Sequence, residues 1–243
     1  MHSIRAGVLN IAFGAYGPPD GWPCILGHGF PYDIHAYDDV APILAGYDWG
    51  GRAACVVSAL WPHRVKALVS GNSYNIQSIA RAMEPAAPEE EASLWYQYYF
   101  HSERGRRGLE KDRRGIARLL WRMWSPSWAF DEATFGQSAA AFDNPDFVDV
   151  VIHSYRHRFG LVAGDPAYAA IEAELAAQPA IPVSAVTIDG DADGVNAGSA
   201  HHAGKFHGPR EHRVFKGAGH NLPQERPADF AQAILDARRM AGG

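Results

Sequence analysis

In the run Gly46-Tyr47-Asp48-Trp49-Gly50-Gly51, glycines bracket a single carboxylate, and this constrains the chain more than any other feature. The run follows an apolar stretch, Pro42-Ile43-Leu44-Ala45, and precedes residues 52–61, which read as a helix. A strand that turns this sharply into a helix forces unusual dihedrals on its central residue and leaves room only for small neighbours. Such an elbow lifts one side chain into a cavity above the C-terminal edge of a parallel sheet. Here that side chain is a carboxylate.

At 243 residues the chain is long enough for one large domain, or for a domain with an inserted lobe. A net charge of −5 gives no global attraction to nucleic acid or to an anionic membrane. No apolar run approaches the roughly 20 residues a membrane-spanning helix needs, and Met1-His2-Ser3-Ile4-Arg5 lacks the apolar core of a signal peptide. Two cysteines, Cys24 and Cys55, form neither a disulfide framework nor a metal-ligand spacing. Both are expected to be small buried residues in a reducing cytoplasm.

Strands alternate with helices at both ends. Residues 8–15 and 23–26 read as strands, residues 33–40 as a short helix, and Ile43-Leu44-Ala45 as the strand entering the elbow. Residues 65–69 follow as a strand after Pro62 closes the helix. The pattern resumes at residues 183–188 and 213–215, and residues 227–240 form a closing amphipathic helix with Phe230 and Ile234 on one face. Apolar strands alternating with helices predict an α/β fold with a mostly parallel sheet and helices on both faces. Between the two ends, Trp, Tyr, Arg and Ala recur at helical spacing, with hinges at Pro85-Ala86-Ala87-Pro88 and Gln178-Pro179-Ala180-Ile181-Pro182. Three parts are therefore expected: a first core segment over 1–72, a helical lid over 73–182, and a second core segment over 183–243.

Four motifs stand in register along this frame: His28-Gly29-Phe30-Pro31, the elbow, Gly190-Asp191-Ala192-Asp193, and Gly217-Ala218-Gly219-His220. Together they resemble the α/β-hydrolase superfamily, in the branch with an aspartate nucleophile: epoxide hydrolases and the haloalkane and fluoroacetate dehalogenases. Their order, nucleophile then acid then histidine, is that of the fold. Tyr96-Gln97 and Tyr155-Arg156 are similar to the lid pairs that supply the two epoxide-holding phenols of epoxide hydrolases. The resemblance implies Asp48 as nucleophile, Asp193 and His220 as its acid and base, and Tyr96 and Tyr155 as proton donors. It also implies the backbone N–H groups of Phe30 and Trp49 as an oxyanion hole, with Phe30, Trp49 and Gln97 against the substrate. No cofactor or metal is called for. The expected ligand is a small apolar epoxide or organohalide; nucleic acid and membrane are not expected, and a homodimer is left open.

The residue types suit that chemistry. A carboxylate is anionic at neutral pH without a base, and its attack on saturated carbon leaves an ester that water can cleave; a serine would leave an inert ether. His220 would draw a proton from that water, oriented by Asp193. Asp191 and Asp189 are alternative acids. The position after the next strand, where relatives carry another acid, holds Ser70-Gly71-Asn72 and no carboxylate. Trp95, Tyr98, Tyr99, Trp121, Trp124 and Trp128 read as lid packing. His201, His202, His207 and His212 read as solvated loop positions, and the arginines between Arg104 and Arg122 as a solvated helix face.

One interval departs from the family pattern. Only twelve residues separate Phe30 from Ile43, about the minimum for a crossover between parallel neighbours. One interior strand, ordinarily lying between the two strands that precede the nucleophile's own, is therefore missing. Its loss leaves a gap, or makes two strands pair that otherwise do not. The resemblance leaves a dehalogenase of the same fold as the alternative enzyme, and the shortened interval supports a further alternative, an inactive, internally truncated chain with a marginally stable scaffold.

Overall fold

Strands in the middle of a parallel sheet are covered on both faces, so their side chains are apolar or small throughout. The computed structural model describes residues 2–6, 9–16, 25–30 and 43–242. Its main sheet has five parallel strands: β3 (Leu26–Gly27), β4 (Leu44–Gly46), β5 (Ala67–Gly71), β6 (Ser184–Gly190) and β7 (Arg210–Phe215), in spatial order β3-β4-β5-β6-β7. Every residue of β5 is buried. The period-two alternation of a strand divides these side chains between two cores. Ala67, Val69, Val186 and Ile188 pack with Phe230, Ala233, Ile234 and Ala237 of helix α10 (Pro227–Met240). Leu68 and Ala185 pack with Ala54 and Cys55 of helix α1 (Asp48–Leu60), Ile181 and Phe206.

Helix α10 starts with Pro227 at its first position, where a missing N–H costs nothing. Its buried residues fall at i, i+3, i+4 and i+7, which is one face of a helix. Strand ends are set by pairing rather than by composition. The expected strand over 65–69 runs Ala67–Gly71, that over 183–188 runs Ser184–Gly190, and that over 213–215 begins at Arg210, because Ala185 pairs with Arg210 and Gly71 with Ile188.

The expected strand over 8–15 corresponds to β2 (Leu9–Phe13), but its partner is an unforeseen strand β1 (His2–Ala6). The two form an antiparallel pair with Ile4 opposite Ile11, every residue exposed, and among the described residues they make no ladder with β3. Among the described residues β2 and β3 lie in different sheets and β3 has a neighbour on one side only, which corresponds to the gap, one of the two outcomes expected from the shortened interval. The expected helix over 33–40, Pro31 and Cys24 lie outside the described residues.

Between β5 and β6 the regular elements are helical: α2 (Pro88–Ser93), α3 (Trp95–His101), α4 (Glu103–Lys111), α5 (Arg113–Trp124), α6 (Glu132–Ala139), α7 (Phe147–Arg158) and α8 (Ala169–Ala176), with short 3-10 turns. Ser102, Asp112 and Asp131 cap α4, α5 and α6 by accepting a backbone N–H three residues on. The arginines of α4 and α5 lie on a solvated face, as expected, with Arg104, Arg107 and Arg122 exposed, and some of them make surface ion pairs. Arg106 meets Asp149 at 2.7 Å, Arg114 meets Asp143 at 2.8 Å, and Arg118 reaches Glu132. Leu109, Leu120 and Trp121 on the same two helices are fully buried. Short α9 (Leu222–Glu225) precedes α10. Among the described residues no helix is long and apolar enough to cross a membrane.

Candidate active site

The elbow is as tight as its glycines require. Tyr47 is extended and Asp48, the first residue of α1, has φ +50°, a left-handed conformation costly for a residue with a Cβ. A Cβ on Gly50 would lie 1.6 Å from the Gly27 carbonyl oxygen, and one on Gly46 2.4 Å from the Gly50 carbonyl carbon. Helix α1 therefore sits almost in contact with β3 and β4, and this projects Asp48 past the strand ends. The N–H groups of the first helical turn, Trp49 among them, lack an intrahelical acceptor and favour negative charge at this end.

His220 completes the centre from the loop after β7. Its Nδ1 is 2.9 Å from Asp193 Oδ2 and its Nε2 is 3.6 Å from Asp48 Oδ2. Asp193 is held in turn: its Oδ1 accepts the Val195 and Asn196 N–H groups at 2.9 and 3.0 Å, and its Oδ2 accepts Asn72 Nδ2 at 3.1 Å. The other two acids are engaged elsewhere. Asp191 accepts the Gly217 N–H and meets Lys216, while buried Asp189 accepts both the N–H and the hydroxyl of Ser199. Burial pulls the His220 imidazolium down, but Asp193 and then Asp48 outweigh it and raise its pKa to about 10.

Above this centre lie Tyr96 of α3 and Tyr155 of α7, both buried, their rings 5.5 Å apart and nearly perpendicular. Tyr155 also meets Trp49 and Phe30, each at 5.8 Å between ring centres. Burial, foremost, pushes the Tyr96 phenol up to about 12, and that of Tyr155 well above its ordinary value, with Tyr96 and Asp48 adding to the second shift. Both hydroxyls thus keep their protons at neutral pH. Gln97 Nε2 donates to Tyr96 Oη at 2.8 Å, so the phenol oxygen already has a donor and its own hydrogen is turned elsewhere. Gln97 is buried beside Tyr96 and touches the centre through it.

Several residues at this centre were not expected there. Asn72, at φ +62° after β5, donates to Asp193 from the position noted only for lacking a carboxylate. Trp124, assigned to lid packing, has its ring 5.0 Å from Tyr96 and 5.3 Å from His220. Its carbonyl accepts the His220 N–H at 3.1 Å and the Gly194 N–H at 2.9 Å. The Ser125 hydroxyl accepts the same His220 N–H and donates to Glu225, whose carboxylate also accepts the Gly219 and Asn221 N–H groups at 2.7 and 3.0 Å. Two histidines read as solvated are packed instead. His202 Nδ1 accepts the Tyr74 N–H, and burial, followed by His201, lowers its pKa to about 4. His212 lies 3.0 Å from the Thr187 hydroxyl and 3.5 Å from Asp189.

The whole chain has counterparts among solved structures. It is 38% identical to a candidate epoxide hydrolase from Klebsiella pneumoniae subsp. pneumoniae, with a TM-score of 0.93 over 98% of this chain and 97% of the other. A candidate epoxide hydrolase from Pseudomonas aeruginosa matches at 15% identity and a TM-score of 0.74, over 98% and 96% of the two chains. A candidate α/β-hydrolase from Nostoc sp. PCC 7120 matches at 14% and 0.67, over 88% and 90%. These last two share the fold. No protein-family model matches the sequence, and no curated protein does. On the first of these likenesses, the chain belongs to the α/β-hydrolase superfamily, among its epoxide-hydrolase-like members. It is in that sense a hydrolase.

Proposed function

We propose that the chain opens epoxides to diols through a covalent ester on Asp48. The observation that carries this reading is the pair of buried, protonated phenols, Tyr96 and Tyr155, facing the Asp48–His220 pair. An Asp48 oxygen attacks one epoxide carbon, the carbon–oxygen bond breaks, and the oxygen that leaves stays on the substrate as an alkoxide. A phenol proton neutralises it as it forms. Halide departure creates no such alkoxide and has less need of two acids in a dry pocket.

In the second half, water attacks the Asp48 ester carbonyl while His220 Nε2 takes the water's proton. The backbone N–H groups of Trp49 and Phe30 are assigned to the oxyanion that forms; its collapse expels the substrate oxygen, which takes the second proton of the water to complete the diol, and restores the Asp48 carboxylate. The change of role at His220 follows from its two neighbours. With Asp48 ionised the imidazole is held protonated; once Asp48 is an uncharged ester, one of the two supporting charges is gone, the ring releases its proton to restore the phenol from the tyrosinate, and it becomes a base.

The test traps the ester. With His220→Gln and styrene oxide, the peptide containing Asp48 should gain the mass of the epoxide. An intact parent that turns over styrene oxide while the variant gives no adduct at Asp48 would remove the covalent step. A folded parent that opens no epoxide would remove the activity.

A further inference from the structure

Beside the Trp49 indole a cavity of about 430 Å³ lies between α1 and α7. That volume falls within the roughly 300–1,000 Å³ usual for small-molecule sites. Its walls are largely apolar, with Ala53, Val56, Ile76, Ile171 and Leu175. Into it come two arginines, Arg52 of α1 and Arg158 at the end of α7. Their guanidinium carbons lie 5.1 and 5.9 Å from the Trp49 ring centre.

Among the described residues, neither guanidinium has a carboxylate within ion-pair distance, and the Nε of each is buried without a hydrogen-bond partner. Both side chains are half-buried with their Nε withdrawn from solvent, and a charge desolvated in this way is ordinarily paired, because desolvation is costly. Gln77 fixes the pair without neutralising it: its Oε1 accepts from Arg52 Nη1 at 3.2 Å, and its Nε2 donates to the Arg158 carbonyl at 3.1 Å. Burial, and next the charge of Arg158, pulls the Arg52 pKa down to about 9, with Asp48 offsetting part of that. An anion set between the two would relieve both effects and satisfy the orphaned donors.

We propose that this cavity takes the carboxylate of an apolar acid, so that the preferred substrate is an epoxide carrying a carboxylate. The second half of that statement rests on the epoxide-opening reading. Trp49 links the two places: its ring meets Tyr155 at 5.8 Å on one contact and the arginines on others. A fork of planar donors matches a carboxylate. Asp165 and Glu172 also line the cavity, which favours a monoanion over a doubly charged phosphate. His153 and His157, stacked at 5.9 Å, complete the polar part of the wall.

The test is calorimetric titration of the whole protein with hexanoate, 1-hexanol and hexyl phosphate, none of which reacts. Hexanoate should bind at least about 10-fold more tightly than hexanol, since one charge-assisted hydrogen bond contributes about 1.5–3 kcal/mol. Arg158→Gln, at a partly exposed position, should abolish that preference with its melting temperature unchanged; Arg52→Met should do the same if it folds. Equal binding of acid and alcohol, or a preference that survives Arg158→Gln, overturns the proposal. Tighter binding of hexyl phosphate overturns the choice of carboxylate. Preference for the acid without any epoxide turnover keeps the subsite and removes the activity; turnover of neutral and acidic epoxides alike, without that preference, does the reverse.

Discussion

Replacing Asp48 by Asn imitates, at His220, the loss of charge that the proposed ester would bring. The intact site holds the imidazole at about 10 against an ordinary 6.5, with carboxylates at 2.9 and 3.6 Å and burial opposing them. One opposite charge at such distances shifts a pKa by about 1–3 units, or about 1.4–4 kcal/mol. Asp48→Asn should therefore lower the His220 midpoint by that much, leaving Asp193 to support it alone. The resonance of the ring Cε1–H, followed by NMR from pH 5 to 11, reads the midpoint directly. The sign extends to stability. A raised histidine pKa stabilises the fold fully below its unfolded value near 6.5 and loses that contribution as pH rises through the folded value. Unfolding free energy should thus fall between pH 6.5 and 10 in the parent, and over a lower and narrower window in the variant. Equal midpoints in the two proteins would refute the idea that Asp48 sets the protonation of His220, and with it the switch from acid to base.

Two further outcomes follow from the geometry. Changing both Tyr96 and Tyr155 to Phe should reduce epoxide turnover by roughly 100-fold or more, the usual size of acid catalysis, with the Asp48 adduct forming correspondingly slowly; full turnover in that variant would exclude the phenols. Gly50→Ala should destabilise the fold by about 1–3 kcal/mol or more, measured by urea unfolding, because the added Cβ meets the Gly27 carbonyl at 1.6 Å; an unchanged unfolding midpoint would mean that α1 and β3 separate freely.

What could be read from the sequence was whatever local sterics dictate. The Gly46 to Gly51 run allows little besides an elbow, and Pro227 with Phe230 and Ile234 marks α10 to the residue. Asp48, Asp193 and His220 were each visible in a turn of distinctive composition, and the fold brings them together. Interactions spanning long stretches of chain left no such trace. Asn72 reaches Asp193 across 121 positions, and Arg52 and Arg158 share one indole only because α7 folds back over α1. Strand β1 was missed because an exposed pair has no buried face to impose alternation. His202 and His212 looked solvated because their partners, Tyr74 and Thr187, come from other strands and loops.

The end of α5 behaves mechanically as part of the loops that carry Asp193 and His220. Trp124 accepts N–H groups from both the Asp193 turn and the His220 loop, and Ser125 is fastened to Glu225. A swing of all the helices as one rigid cover would have to break these bonds and drag the base away from the acid. Any opening that leaves these bonds intact would have to spare the end of α5 and the two loops it holds together.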